Sequence, residues 1–191
     1  MWEETVNVLG VSGSLRKGSF NTGLLRAAVE LAPRDMKVQI FDLSPIPLYN
    51  EDVRALGFPE PVKEFRDRIA SADALLIATP EYNHSISGVL KNAIDWASRP
   101  PGPPLLDKPV AIMGASPGNF GSVRAQSHLR LICDALMRPV ARPEVIVMKA
   151  QEKFDADGKL VDETTRGIVK ELLIALAEWT RLLSRGSLDS E

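Results

Sequence analysis

At 191 residues, 45% of them hydrophobic and 25% charged, the chain can bury one sizeable core but is short for two typical domains, so a single domain over residues 1–191 is expected. A net charge of -2 excludes the basic surface that a nucleic-acid partner requires, and a single cysteine, Cys133, excludes a disulfide framework. No apolar run reaches the length of a membrane span, and the acidic start Met1-Trp2-Glu3-Glu4 lacks the basic flank of a signal peptide, so no membrane partner and a cytoplasmic location are expected.

Val8-Leu9-Gly10-Val11 is a short apolar run that suits a buried parallel strand. It gives way to Ser12-Gly13-Ser14-Leu15-Arg16-Lys17-Gly18-Ser19-Phe20-Asn21, a loop of hydroxyls, amides, glycines and two cations. Backbone N–H groups at the helix start that follows would face an anion, with Arg16 and Lys17 beside it. Gly13 and Gly18 are spaced as in a Walker A loop, but Ser19-Phe20 stands where Lys-Ser/Thr would hold a triphosphate and magnesium. The G-x-G-x-x-G spacing of a dinucleotide fold is also missing. A loop with no metal partner suits a single terminal phosphate, and flavin mononucleotide (FMN) carries one.

Thr22 to Leu31 has helical spacing and is closed by Pro33, and Met36 to Asp42 alternates, predicting a second strand near an edge. Ser44 to Pro61 holds Pro45, Pro47, Gly57 and Pro59, too many breakers for regular structure, and predicts a long irregular connection carrying Tyr49, Asn50, Glu51 and Asp52. A helix from Val62 to about Ser71 precedes Ala74-Leu75-Leu76-Ile77-Ala78, a central strand bounded by Asp73 and Pro80. That strand ends in a second polar loop, Thr79-Pro80-Glu81-Tyr82-Asn83-His84-Ser85.

A helix from Ser87 or Gly88 to Ala97 stops before a proline-rich break, and Pro109 to Ala115 makes a fourth strand ending in a third loop, Ser116 to Ser122. A helix over Ser122 to Leu136 turns Leu129, Ile132, Cys133 and Leu136 inward, which makes Cys133 a core residue rather than a nucleophile. Val140 to Met148, interrupted by Pro143, predicts a fifth strand at an edge. Lys153 to Asp162 reads as a small turn or hairpin; Thr165 stands where a calcium loop would need glutamate. A final helix covers Glu163 to Leu183, and the small, charged tail Ser184 to Glu191 is expected to fray.

Alternating strands and helices predict an α/β chain: a flavodoxin-like, doubly wound, five-stranded parallel sheet of order 2-1-3-4-5 with helices on both faces. Ligands of such sheets sit beyond the carboxyl ends of the strands, where strand order reverses. Strands one and three flank that point, and their trailing loops are the two polar loops already singled out.

Gly13-Ser14-Leu15-Arg16-Lys17-Gly18-Ser19-Phe20-Asn21, Thr79-Pro80-Glu81-Tyr82-Asn83 and Gly88-Val89-Leu90-Lys91-Asn92-Ala93-Ile94-Asp95-Trp96, with Ile46-Pro47-Leu48-Tyr49 between them, resemble the NADPH-dependent FMN reductase family and its soluble quinone and chromate reductases. The resemblance implies that Ser14, Arg16, Ser19, Phe20 and Asn21 hold the FMN phosphate. It implies that Pro80, Glu81, Tyr82, Asn83 and His84 border the isoalloxazine ring, and that Ser116 and Gly118 approach it from the other side. His84 stands where close relatives carry tyrosine; it is either a donor to a bound quinone or a loop histidine near Glu81. Arg124 could pair with an acidic residue of a partner subunit, attract an NADPH phosphate, or form an exposed ion pair, and His128 reads as a helix-face residue.

The implied activity is an FMN-dependent NAD(P)H oxidoreductase, with NADPH or NADH as reductant and a quinone as small-molecule acceptor. Chromate, azo compounds and free flavin are further acceptors, reached by ping-pong hydride transfer without a dedicated catalytic side chain or a metal. A homodimer or homotetramer is implied as well. The competing reading is a flavodoxin-like electron-transfer protein, against which the net charge of -2 argues, since such carriers dock through a strongly acidic face.

Overall fold

The computed structural model describes residues 5–188. Its strands are β1 (Val6–Ser12), β2 (Met36–Phe41), β3 (Ala74–Ala78), β4 (Lys108–Ala115), β5 (Met137–Pro139) and β6 (Val145–Val147). The helices are α1 (Phe20–Leu31), α2 (Glu51–Ala55), α3 (Glu60–Ser71), α4 (Gly88–Ala97), α5 (Val123–Leu136) and α6 (Glu163–Leu188). All strands pair in parallel in the order β2-β1-β3-β4-β5, with β6 also against β4, and this is the doubly wound flavodoxin-like sheet expected.

Strand periodicity of two divides the interior into two cores. Val6, Val8, Leu76, Ala78, Ala111 and Met113 face α1 and α6, while their neighbours Leu9, Val11, Leu75, Ile77, Val110 and Ile112 face α3, α4 and α5. Every residue of β3 is buried, as a strand covered on both faces must be. Edge strand β2 alternates instead, Met36 and Val38 buried, Lys37 and Gln39 exposed.

Four segments differ from expectation. The connection over 44–61 contains α2, whose first turn carries Glu51 and Asp52 and whose cap, Asn50, accepts the Asp52 N–H at 2.8 Å. A cap with two acidic residues behind it starts a turn of helix even among breakers. Pro61 lies inside the first turn of α3, where its missing N–H costs nothing, so that helix begins two residues before Val62. Of the strand expected over Val140–Met148 only β6 forms; β5 lies just ahead of that span, both pair with β4, and a cis Arg142–Pro143 peptide stands between them. Helix α6 continues past Leu183 through Leu188, the Ser184 hydroxyl bonding back to Thr180 O at 3.0 Å. The expected fraying of 184–191 meets ordered helix there, and 189–191 lie outside the described residues.

The interior also holds an arginine. Arg66 on α3 donates from Nη1 to the carbonyls of Trp96, Ala97 and Arg99 and from Nη2 to those of Pro101 and Gly102, at 2.6 to 3.2 Å, and stacks 4.1 Å over Phe58. It satisfies carbonyls that α4 leaves open at its end and fixes the proline-rich break behind them. Cys133 is fully buried, and burial pushes its thiol up to about 12, which makes it inert as a nucleophile.

Candidate active site

The first loop leaves β1 and curls on its own hydroxyls. Ser12 Oγ accepts the Ser14 N–H at 3.3 Å and the Thr22 hydroxyl at 3.0 Å, and Ser14 Oγ accepts the Arg16 N–H at 3.4 Å. Ser19 caps α1, its Oγ taking the Thr22 N–H and its carbonyl the Gly23 N–H. The N–H groups of Phe20 and Asn21 remain for an anion at the helix mouth. Arg16 and Lys17 are exposed there, and neither has a carboxylate partner among the described residues. The Arg16 guanidinium rests 5.4 Å from the Phe20 ring centroid.

The Asn21 side chain is taken up inside the chain. It is buried and closes a two-way bond with β4, Nδ2 donating to Ala115 O at 3.0 Å and Oδ1 accepting the Ala115 N–H at 2.9 Å. The amide therefore ties α1 to the end of β4, and what Asn21 leaves for an anion is its backbone N–H in the first turn of α1.

The second loop is pressed against the first. A Cβ on Gly13 would stand 2.9 Å from Pro80 Cδ and 3.2 Å from Ser87 Oγ, so this close approach requires glycine. Ser87 donates its hydroxyl to Gly13 O at 2.6 Å and accepts the Leu90 N–H as cap of α4. In the sequence Ser87 reads only as a helix start; its tie to Gly13, 74 residues away, has no local signal.

Between Pro80 and Ser87 the chain makes a tight turn. Tyr82 and Ser85 exchange backbone hydrogen bonds at 3.0 and 3.1 Å, and Asn83 and His84 at its tip both have positive φ, 50° and 64°. Two consecutive left-handed residues match a type I′ turn, a conformation costing a non-glycine residue about 1 kcal/mol that the surroundings must enforce. Helix α5 supplies the enforcement. Its own cap residue, Ser122, is left-handed and offers no side-chain cap, so the Glu81 carboxylate caps it instead, accepting the N–H of Arg124 at 3.0 Å and that of Ala125 at 3.4 Å.

The Arg124 guanidinium closes a 3.0 Å ion pair with Glu81 and lies 4.2 Å over Phe120. Burial disfavours the Glu81 charge, but the guanidinium and the two N–H groups outweigh it and hold the carboxyl below its ordinary value. Of the three parts open to Arg124, the structure shows an ion pair, made within the chain to Glu81, a residue expected to border the ring. His128, read as a plain helix-face residue, places Nδ1 3.1 Å from Ser85 Oγ and gives the turn a second attachment to α5.

The third loop completes the crevice. Ser116 donates its N–H to Val147 O and accepts the Gly118 N–H on its Oγ, while Lys149, itself left-handed, donates its N–H to Gly118 O. Gly118 is open above, with only Ser116 Oγ near a would-be Cβ. Pro80, Glu81, Tyr82, Asn83, His84, Ser116 and Gly118 therefore gather at the carboxyl ends of β3 and β4, and Ser14, Arg16, Ser19 and Phe20 at that of β1. A polar groove lined by Asn7, Lys37, Gln39 and Arg68 opens at the opposite end of β1 and β2 and holds none of these residues. Among the described residues no cluster of His, Cys, Asp or Glu could hold a metal ion.

The residues present suit FMN. Two open N–H groups and two exposed cations at the α1 mouth match the chemistry of a phosphate dianion, and the exposed Tyr82 and the open Gly118 stand on the two loops that flank it.

Known proteins place the chain in the same company. The family model described as NADPH-dependent FMN reductase matches residues 6–152. An NAD(P)H-dependent FMN reductase of Pseudomonas aeruginosa is 54% identical over 94% of this chain and 98% of its own. An NADPH:quinone oxidoreductase of Arabidopsis thaliana is 46% identical, with 92% of each chain covered. Among solved structures, the flavoenzyme NAD(P)H:(acceptor) oxidoreductase FerB of Paracoccus denitrificans superposes with a TM-score of 0.84 at 35% identity, covering 93% of this chain and 98% of that one. With these matches spanning nearly its whole length, the chain belongs to the NADPH-dependent FMN reductase family.

Proposed function

We propose that the protein is an FMN-dependent NAD(P)H oxidoreductase that reduces quinones. The observation that carries this reading is that a helix mouth with open N–H groups and two exposed cations meets the loops after β3 and β4 at the point where strand order reverses. The names of the relatives support the same chemistry. FMN, when bound, supplies the two-electron redox step, so the chain needs to bind, orient and screen. Arg16, Lys17, Ser19 and the N–H groups of Phe20 and Asn21 bind the phosphate. Pro80 and the turn Tyr82–Ser85 border one side of the ring, and Ser116 and Gly118 the other.

Tyr82 and Phe120 are each more than half exposed beside this crevice, and an aromatic acceptor fits against such side chains. His84, also exposed, is within the turn that would meet a quinone oxygen and can donate a hydrogen bond there. Reductant and acceptor using one face in turn would give ping-pong kinetics, and chromate, azo compounds and free flavin are acceptors an open face would admit. The exposed apolar rim is also a surface for a second copy, consistent with a homodimer or homotetramer, in the cytoplasm; no described helix is long and apolar enough to cross a membrane.

Purification followed by an absorbance spectrum and anaerobic NADPH addition tests the proposal. A yellow protein that bleaches, and recovers its colour on adding quinone, is expected. A colourless protein that neither takes up FMN nor responds to NADPH overturns it.

A further inference from the structure

The turn over 153–162, ahead of α6, holds none of the site residues described above, yet it packs against the mouth of α1. Phe154 and Leu160 pair in an isolated antiparallel bridge, and Asp155 Oδ1 accepts the N–H groups of Asp157 at 3.0 Å and Lys159 at 2.8 Å. Phe154, only 7% exposed, points from this turn onto α1. A Cβ on Gly23 of α1 would stand 2.7 Å from Phe154 Cε1 and 2.8 Å from Gly158 O, so the helix backbone lies directly against the Phe154 ring and the turn. The Phe154 ring lies 5.1 Å from that of Phe20, tilted 45°, and Phe20 in turn carries the Arg16 guanidinium. Phe154, Phe20 and Arg16 thus form a line of touching groups from the core to the exposed cation of the first loop.

We propose that Phe154 is a positioning residue for phosphate recognition, holding the Phe20 ring so that the Arg16 guanidinium rests on it over the first loop. The inference rests on the phosphate reading of that loop. An exposed arginine gives up its rotamer freedom when it grips an anion, and one already resting on an aromatic face gives up less. Phe20 is only half-buried at the first position of α1, and the ring of Phe154 is the buried surface against which it is fixed.

FMN and riboflavin share the ring and ribityl chain and differ in the phosphate, so the ratio of their affinities isolates phosphate recognition. The test titrates both into the flavin-stripped full chain as wild type, Arg16→Ala, Phe154→Leu and the double variant. Phe154→Leu is expected to lower the FMN-to-riboflavin ratio about three- to fivefold, the scale of a cation–π contact. Arg16→Ala is expected to lower it about tenfold. In the double variant the ratio should fall no further than in Arg16→Ala alone, because the second change acts through the first.

A ratio left unchanged by Phe154→Leu, with both affinities falling together, makes Phe154 a support of the fold and overturns the proposal. A double variant whose ratio falls by the product of the single effects overturns it too. If Phe154→Leu does not fold, Phe20→Leu at its half-buried site carries the test, and an unchanged ratio there is equally decisive against it. An Arg16→Ala ratio equal to that of wild type overturns the phosphate reading itself, an outcome distinct from failure of Phe154 alone.

Discussion

At the first loop, Arg16 and Lys17 stand in solvent with no carboxylate partner among the described residues, beside helix N–H groups left open; at the second turn, Glu81 and Arg124 close on each other and on the start of α5. One end of the crevice leaves its charge unpaired among the described residues, as the proposed phosphate site requires, and the other has committed its charge to architecture. The cation at the first end would be neutralised by FMN phosphate. The pair at the second end fixes a turn with two left-handed residues, so the ring would meet a surface already in shape. Both ends are charged and polar, and only the bonding pattern tells the unpaired charge from building charge.

Exchanging the two roles by mutation would break the comparison. The largest effect is expected from Arg16→Ala combined with Ser19→Ala, which should weaken FMN about a hundredfold by fluorescence titration, each substitution accounting for about tenfold. Arg16→Ala alone should leave the urea unfolding free energy of the flavin-free chain within about 0.5 kcal/mol. Glu81→Gln should do the reverse. It strips Arg124 of its counter-charge and α5 of an anionic cap, lowering that unfolding free energy by about 2 kcal/mol while FMN affinity changes by less than about threefold.

A pH series sharpens the second half. Because the native Glu81 carboxyl is held below its ordinary value, its contribution is complete above the unfolded value of about 4.3 and is lost as pH falls through the native one. The stability gap between wild type and Glu81→Gln should be level from about pH 5 to about pH 8 and close below about pH 4. The smallest effect is assigned to His128→Leu, which removes one exposed bond to Ser85 and should cost under about 1 kcal/mol in the same urea assay. His128→Asn, which can present an amide where Nδ1 stood, should recover most of it.

Strand β3 is legible to the residue because an unbroken apolar run lies between Asp73 and Pro80, and α4 because Ser87 caps a helical pattern that stops at a proline break. The site loops are legible by position, since chain topology alone brings the ends of β1 and β3 together. What their side chains do there is not. Asn21 reaches Ala115 across 94 residues and Glu81 reaches Arg124 across 43, and no spacing rule spans such distances. Helix α2 has a readable signal, Asn50 before Glu51-Asp52, outweighed by the surrounding prolines and glycine. Arg66 has none, for a lone arginine in an amphipathic helix reads as surface until Phe58 and the carbonyls of 96–102 enclose it.

The seam between β1 and β3 joins Val8 to Ala74 and Ser12 to Ala78, so the two halves of the crevice lie far apart along the chain. Such distant pairing closes slowly, and the first loop and the turn at Pro80 can face each other only after it has formed. A ligand that needs both has no foothold on the unfolded chain. FMN should therefore act as a mass-action stabiliser, raising the melting temperature in proportion to the logarithm of its concentration and slowing unfolding rather than speeding folding.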